Sequence, residues 1–486
     1  MNDELKKLKP ESLWQNFVKL TEIPRPSKKE AGIIRFMMDW GKDKGLETIN
    51  DDIGNVIMKK PATKGMEDRK TVVLQGHLDM VPQKNNDKAH DFEKDPITAF
   101  VDGDWVTADG TTLGADNGMG VAAIMSVLEA DNLKHGPIEA LFTIDEETGM
   151  TGAFKLKPGV LNADILMNLD SEDEGELYIG CAGGVDTTIY LKNKQEKSDN
   201  SHKAFEITVT GLKGGHSGMD IPLQRGNANK VLFRLLKDAD EKFKLKLASV
   251  TGGDLRNAIP RESVATVTIK EKKEDAFSDF VKQYETIAQK ELSETDAGLK
   301  IKMKSAEMPA KVMKKKTFRK LYRIVNAMPH GPERFIDNMP EIPETSINLC
   351  IVKSGEKEIM IGSLIRSSVD SAKENLQGKI ESIAHLAGAK VEHTGEYPGW
   401  KPNFDSPILQ TMKTVYSDKF GKTPDVKIIH AGLECGVLGA TYPNWDMISF
   451  GPTIRFPHSP DEKVNIATVQ KFWDYLIETL KNVPSK

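Results

Sequence analysis

Apolar residues in ESLWQNFVKL (11–20) and KKEAGIIRFMMDW (28–40) recur at helical spacing, and Pro24, Arg25 and Pro26 break the chain between them. TVVLQG (71–76), IEALFTI (138–144) and ADILMNL (163–169) are instead short continuous apolar runs. Rich in Val, Ile and Leu, they predict parallel strands buried on both faces. GMGVAAIMSVLEA (118–130) predicts a packed helix. Strand alternating with helix over residues 1–185 predicts an α/β domain with a mostly parallel sheet between helices.

A polar stretch, KNKQEKSDNSH (192–202), reads as a linker, and the texture changes after it. FEITVT (205–210), a helix over 227–244, VATVTI (264–269) and a helix over 277–292 form one strand–helix pass. A helix over 318–328, SINLCIV (346–352), EIMIGSLI (358–365) and a helix over 371–387 form a similar one. Two α+β halves in tandem predict an inserted, lid-like domain over 186–399. From about Trp400 the first texture returns, with strands at VKIIH (426–430) and WDMISF (445–450) and a closing helix over 468–480. The simplest topology is one domain made of 1–185 and 400–486, interrupted by the insertion.

The chain has 486 residues, a formal charge of -5 and 29% charged residues, which excludes a strongly basic polyanion-binding protein. The basic stretch KVMKKKTFRK (311–320) reads as a solvated face of the insertion, so no nucleic-acid partner is expected. No apolar run approaches ~18 residues and the first ten residues are too charged for a signal-peptide core, so no membrane partner is expected. Three scattered cysteines, Cys181, Cys350 and Cys435, match no disulfide framework or CxxC motif and suggest a cytoplasmic location.

Chemistry gathers at the predicted strand ends. His77 and Asp79 follow the strand 71–76, Asp116 precedes the helix from Gly118, Glu146 and Glu147 follow 138–144, Asp170 ends 163–169, and His458 lies past 445–450. In open α/β sheets ligands bind at this carboxyl edge. Each motif alone is ordinary; their joint placement points to two divalent ions. Imidazole nitrogen with carboxylate oxygen suits zinc, with manganese and cobalt as alternatives. Two ions close together need a bridging group. Asp116, on a Gly-flanked turn, fits the bridge, with His77 and Asp170 completing one ion and Glu147 and His458 the other. Asp79 is expected to fix the imidazole tautomer, and Glu146 to act as general base.

The motifs GHLDMV, LGADNG, DEETGMTGA, NLDSEDEGELYIGCAGG, GLKGGHSG, RGNANK, HAGLECG and GPTIRFPHSP resemble the di-zinc metallopeptidase family of aminoacylases, glutamate carboxypeptidases and dipeptidases. The resemblance spans essentially the whole chain. It implies a zinc-exopeptidase-like catalytic domain with a lid, and metal-dependent hydrolysis of unblocked L-dipeptides, Xaa-His among them. It also implies the same five ligands, with Asp79 orienting and Glu146 as base. His216, in the turn 214–218, becomes the candidate donor to the tetrahedral oxyanion. Asn257 and Arg366 are candidates for the substrate carboxylate. Glu434 is the candidate partner of the α-amino group, and His430 either assists or packs in the core. Relatives that dimerise leave a homodimer as an open expectation. A deacylase of N-acyl amino acids is the competing enzyme, and a metal-free binding protein on the same scaffold the competing non-enzyme. The intact Glu146 and His458 argue against the latter.

Overall fold

The computed structural model describes residues 2–486. Contacts divide the chain into two units. The first comprises 1–180, 400–428 and 433–486, and the second 181–399 and 429–432.

In the first unit an eight-stranded sheet runs in the order Glu47–Asn50, Val56–Lys60, Ile138–Thr143, Val72–His77, Ile165–Asn168, Asp446–Ser449, Glu176–Cys181, Asp425–Ile429. The middle four strands are parallel, with His77 opposite Thr143 and both Gln75 and Ser449 opposite Asn168. Val72–His77 and Ile138–Thr143 are buried at every position, which explains their unbroken apolar runs. Helix Ala115–Glu129 is buried on almost every face and packs against helix Glu11–Thr21. Within it Asp116 and Asn117 have non-helical angles, so the regular helix begins at Gly118. Lys60 donates to the carbonyls of Val127, Leu128 and Ala130, closing that helix's C-terminus. A four-stranded sheet of Ile454–Arg455, Lys463–Asn465, Trp105–Ala108 and Ala99–Asp102 holds the chain on both sides of His458.

The second unit is built on antiparallel strands in the order Lys300–Ser305, His202–Thr210, Ser263–Lys270, Lys246–Gly252, Met339–Ser354, Glu358–Ser367, Gly183–Lys192, Lys390–Tyr397, with Gly331–Ile336 beside Met339–Ser354. Two βαββαβ halves make this sheet. One uses His202–Thr210, Lys246–Gly252, Ser263–Lys270 and Lys300–Ser305 with helices Ala228–Phe243 and Glu274–Glu291. The other uses Gly183–Lys192, Met339–Ser354, Glu358–Ser367 and Lys390–Tyr397 with helices Lys315–Ala327 and Asp370–Ala387.

The halves are therefore nested, and the tandem order expected from sequence is corrected. The first half is inserted between the opening strand and first helix of the second. The polar stretch 192–202 marks this insertion point inside the unit rather than a linker between domains. The halves join where Thr251 pairs with Lys353 and Gly252 with Val352, and one apolar core runs through both.

Asn227 ties the halves locally. Its side chain accepts from the N–H groups of Asn229 and Lys230 at the start of helix Ala228–Phe243, and donates to the Leu349 carbonyl at 2.8 Å in the other half. Asn227→Ala is expected to lower stability by about 1–2 kcal/mol, read as an earlier urea midpoint, with the far-UV circular dichroism at low urea unchanged.

Candidate metal centre

Four parallel strands end at one edge of the first unit's sheet, and the side chains beyond them converge. His77 closes its strand. Its Nδ1 faces the Asp79 main-chain carbonyl at 3.1 Å, with the Asp79 carboxylate at 3.4 Å. Nδ1, facing a carbonyl, therefore carries a proton, and Nε2 is turned toward the cluster. The nearer acceptor is the main chain of Asp79, rather than the carboxylate expected from sequence. That carboxylate instead accepts the N–H of Glu146 at 3.0 Å, the N–H of Glu147 at 3.3 Å and the Ser27 hydroxyl at 2.8 Å. Burial raises the Asp79 pKa, but contact with His77 and these hydrogen bonds outweigh it and hold it at about 2.

Asp116 stands at the centre. Its Oδ1 lies 3.1 Å from His77 Nε2, and Asp170 Oδ1 lies 3.4 Å from the same nitrogen. Its Oδ2 lies 3.2 Å from His458 Nε2, which is also 2.9 Å from Glu147 Oε2. One carboxylate thus gives one oxygen to each of two trios, His77/Asp116/Asp170 and Asp116/Glu147/His458. Within each trio the potential donor atoms lie within 4.8 Å of one another. Glu146 shares a third such group with His77 and Glu147. His458 is reached by a loop in which both it and Phe456 adopt positive φ, 59° and 55°.

The electrostatics test whether cations fit. Seven carboxyl groups (Asp79, Asp116, Glu146, Glu147, Asp170, Glu172 and Glu434) gather around two imidazoles. Burial first, then repulsion from neighbouring carboxylates, raises Glu146 and Asp170 and lifts Glu172 to about 8 and Glu434 to about 7. Contacts with Asp116 and Glu147 raise His458 to about 11. Glu147 Oε1 is buried without a protein partner. This is a surplus of buried negative charge that protein cations do not neutralise, with mixed nitrogen and oxygen donors in two sets. A pair of divalent ions fits it. The further group Glu30/Asp79/Asp145 is different, because Glu30 accepts main-chain N–H groups of Lys28 and Asp145, and Asp145 accepts the hydroxyls of Thr148 and Thr151.

Glu434 lies in the same unit, fully buried. Its Oε2 accepts from Gln75 Nε2 at 2.6 Å and the Thr143 hydroxyl at 2.8 Å, while Oε1 has no protein partner. Gln75 in turn accepts from Asn168, so a polar ladder crosses the strand ends beneath the cluster. Arg25, Glu172, Gln75, Thr143, Asn168 and Glu462 escaped the sequence reading. For Gln75 and Asn168 a signal existed, since each lies two residues before a member of the donor trios, His77 and Asp170, and two-residue spacing along an extended chain returns to the same face.

The other candidates lie in the second unit and gather on the turn 216–218. His216 Nδ1 accepts the N–H of Gly218 and of Met219, both at 3.2 Å, which leaves a neutral ring with its proton on Nε2. Burial and the nearby Arg366 lower its pKa. Ser217 N–H donates to the Asn257 carbonyl at 2.8 Å, while the Asn257 residue is exposed. Arg366, buried, donates from Nη1 to the Tyr397 hydroxyl at 3.0 Å. His430 is buried with Nε2 2.7 Å from Ser346 Oγ, and a side chain on Gly218 would collide with its carbonyl. Burial, with Arg366 and His216 nearby, pushes its pKa down to about 3, a packed and neutral ring.

Peptidase family M20/M25/M40 matches residues 73–482. The Escherichia coli (strain K12) protein named cytosol non-specific dipeptidase is 47% identical over 483 residues, 99% of this chain and 100% of that protein. The crystal structure of aminoacylhistidine dipeptidase from Vibrio alginolyticus superposes with a TM-score of 0.96 at 45% identity, covering 99% of this chain and 98% of that one. Aminopeptidase PepT from Bacillus cereus ATCC 10987, at TM-score 0.59 and 17% identity over 98% of this chain and 99% of that one, shares the fold.

Two histidines of the second unit, the buried His430 and the half-buried His330, predict a pH dependence. Burial, reinforced by Lys230, holds His330 at about 4, and His430 sits at about 3, against ~6.5 in an unfolded chain. Below pH ~6.5 the unfolded chain binds protons that the folded rings refuse. Stability is therefore lost as pH falls from about 6.5 towards about 4. Melting temperature should drop over this window, and the double variant His330→Gln, His430→Gln should show a shallower drop. An unchanged slope would contradict the assignment.

Proposed function

The chain belongs to peptidase family M20/M25/M40, and from that premise we propose how its residues hydrolyse dipeptides. It is a metal-dependent peptide hydrolase. The substrates are unblocked L-dipeptides, Xaa-His among them, in keeping with the names of the two relatives that match over the full chain. The observation that carries the reading is Asp116, whose two oxygens face two separate trios of donors.

In this proposal His77, Asp116 and Asp170 would hold one divalent ion, and Asp116, Glu147 and His458 the other. Zinc is the ion best suited to the mixed donors. Ions held there would supply polarisation of the scissile carbonyl and a water whose pKa falls towards ~7. Glu146, adjacent to Glu147 and within reach of His77, removes the proton of the attacking water and returns it to the departing amine. Asp79 anchors the main chain of both glutamates, so base and ligand are set by one side chain. His216, neutral with a donor at Nε2, is assigned to the developing oxyanion. Arg366 and Asn257 are assigned to the substrate carboxylate, Arg366 through its planar fork.

Glu434 is assigned to the substrate α-amino group. Its free Oε1, held in orientation by Gln75 and Thr143, is a fixed acceptor. A charged ammonium would satisfy it, and a blocked amine would not. This is why a free amino terminus is required in the proposal. His430 is a packing residue that supports the 216–218 turn. The E. coli relative's name, cytosol dipeptidase, supports a cytoplasmic location.

Two results test the reading. Metal-stripped protein resupplied with zinc, manganese or cobalt should cleave β-Ala-His and Leu-Gly and leave an N-acetyl amino acid intact. Cleavage of the acetylated compound in preference would assign a deacylase. Glu146→Ala should lower kcat/KM by about 10²–10⁴-fold while two ions stay bound, and retained turnover would remove Glu146 as base.

A further inference from the structure

The turn that carries Asp116 is gripped from both sides by buried charges of opposite sign. Glu462 Oε2 accepts the N–H groups of Leu113 and Gly114 at 2.8 and 2.9 Å, and its Oε1 those of Ala115 and Asp116 at 2.7 and 3.2 Å. Arg25 donates from Nη2 to the Gly114 carbonyl at 2.6 Å, and from Nη1 to the carbonyls of Leu78 and Asp79, both at 3.0 Å. The two residues are 1% and 2% exposed. A carboxylate offers about four lone-pair directions, and here four main-chain donors occupy them. The turn has no slack, because Gly114 has φ 69° and a Cβ there would lie 2.7 Å from Arg25 Nη2 and 2.9 Å from Met80 Sδ.

This arrangement differs from an ordinary buried ion pair. A buried charge pair is often replaceable by apolar side chains at no loss of stability. Here the charges act on main-chain groups of the segments that carry His77, Asp79 and Asp116. Glu462 also follows His458 by four residues, so one side chain joins the Asp116 turn to a segment 346 residues away. Both segments supply donors to the same trio.

We propose that Glu462, with Arg25 as its opposing charge, is a positioning residue that fixes the bridging carboxylate and the His458 segment before any ion arrives. The inference rests on the two-ion reading above. Its physical content is preorganisation. A ligand shell already ordered in the ion-free protein does not spend binding free energy on ordering loops.

Glu462→Gln keeps the shape but turns an N–H2 group towards two N–H donors. Zinc dissociation constants, read by competition with a chromogenic chelator, should rise about 10–100-fold, as for other residues that support ligands from behind. The stabilisation that a fixed zinc concentration adds to the melting temperature should shrink, and excess zinc should restore turnover. Arg25→Lys, which keeps the charge and loses the fork, should shift the zinc constants in the same direction.

A purely structural role would lower the ion-free and loaded melting temperatures equally and leave the zinc constants within twofold, which overturns the proposal. A measurement on the unmutated, ion-free protein needs no variant. The amides of Leu113–Asp116 should be protected from hydrogen exchange, and exchange at the rate of an open loop overturns preorganisation. Unmutated protein that takes up no zinc would overturn the two-ion reading itself. Normal uptake with unshifted variants would overturn the positioning role alone.

Discussion

Concentrated negative charge in a buried place is the constraint on which the first unit depends. Asp116 lies close to Asp170 in one trio and to Glu147 in the other, and the neighbouring Glu146, Glu172 and Glu434 are raised by burial and by these carboxylates. In low dielectric such a group either takes up protons or finds cations. Two imidazoles and the Arg25 guanidinium are too few to balance it. The surrounding fold spends its hydrogen bonds on keeping these groups apart and oriented: Asp79 on the Glu146–Glu147 main chain, Gln75 and Thr143 on Glu434, Glu462 and Arg25 on the Asp116 turn.

The sheet makes this arrangement affordable. Four adjacent parallel strands, three of them buried along their length, deliver His77, Glu146, Asp170 and the approach to His458 at one edge. A rigid, apolar base permits irregular loops above it, so the strain of positive φ at Asp145, Phe456 and His458 is confined to the edge where chemistry is wanted. In the second unit a single turn, 216–218, collects His216, Asn257, Arg366 and His430, each by a different main-chain or side-chain contact.

The parallel strands were legible in the sequence because burial on both faces writes itself as TVVLQG, IEALFTI and ADILMNL. The convergence of His77, Asp116, Glu147, Asp170 and His458 was legible because motif spacing and strand ends coincide. The nesting of the second unit was not. Gly183–Lys192 is a local strand whose partners, Glu358–Ser367 and Lys390–Tyr397, lie over 160 residues away, and pairing at that distance leaves no local mark. Arg25 and Glu462 were illegible for a related reason. In sequence they are charged residues beside prolines and aspartates. Only the tertiary fold brings their partners, main-chain groups of no particular identity, around them. Asp79 shows a subtler limit: its proximity to His77 was readable, but the division of labour between its carbonyl and its carboxylate was not.

The most direct test of the central claim is anomalous X-ray diffraction from crystals of the full chain grown with zinc. Two peaks are expected, one against His77 and Asp170 and one against Glu147 and His458, with an oxygen of Asp116 on each. A single peak, or peaks away from Asp116, would contradict it.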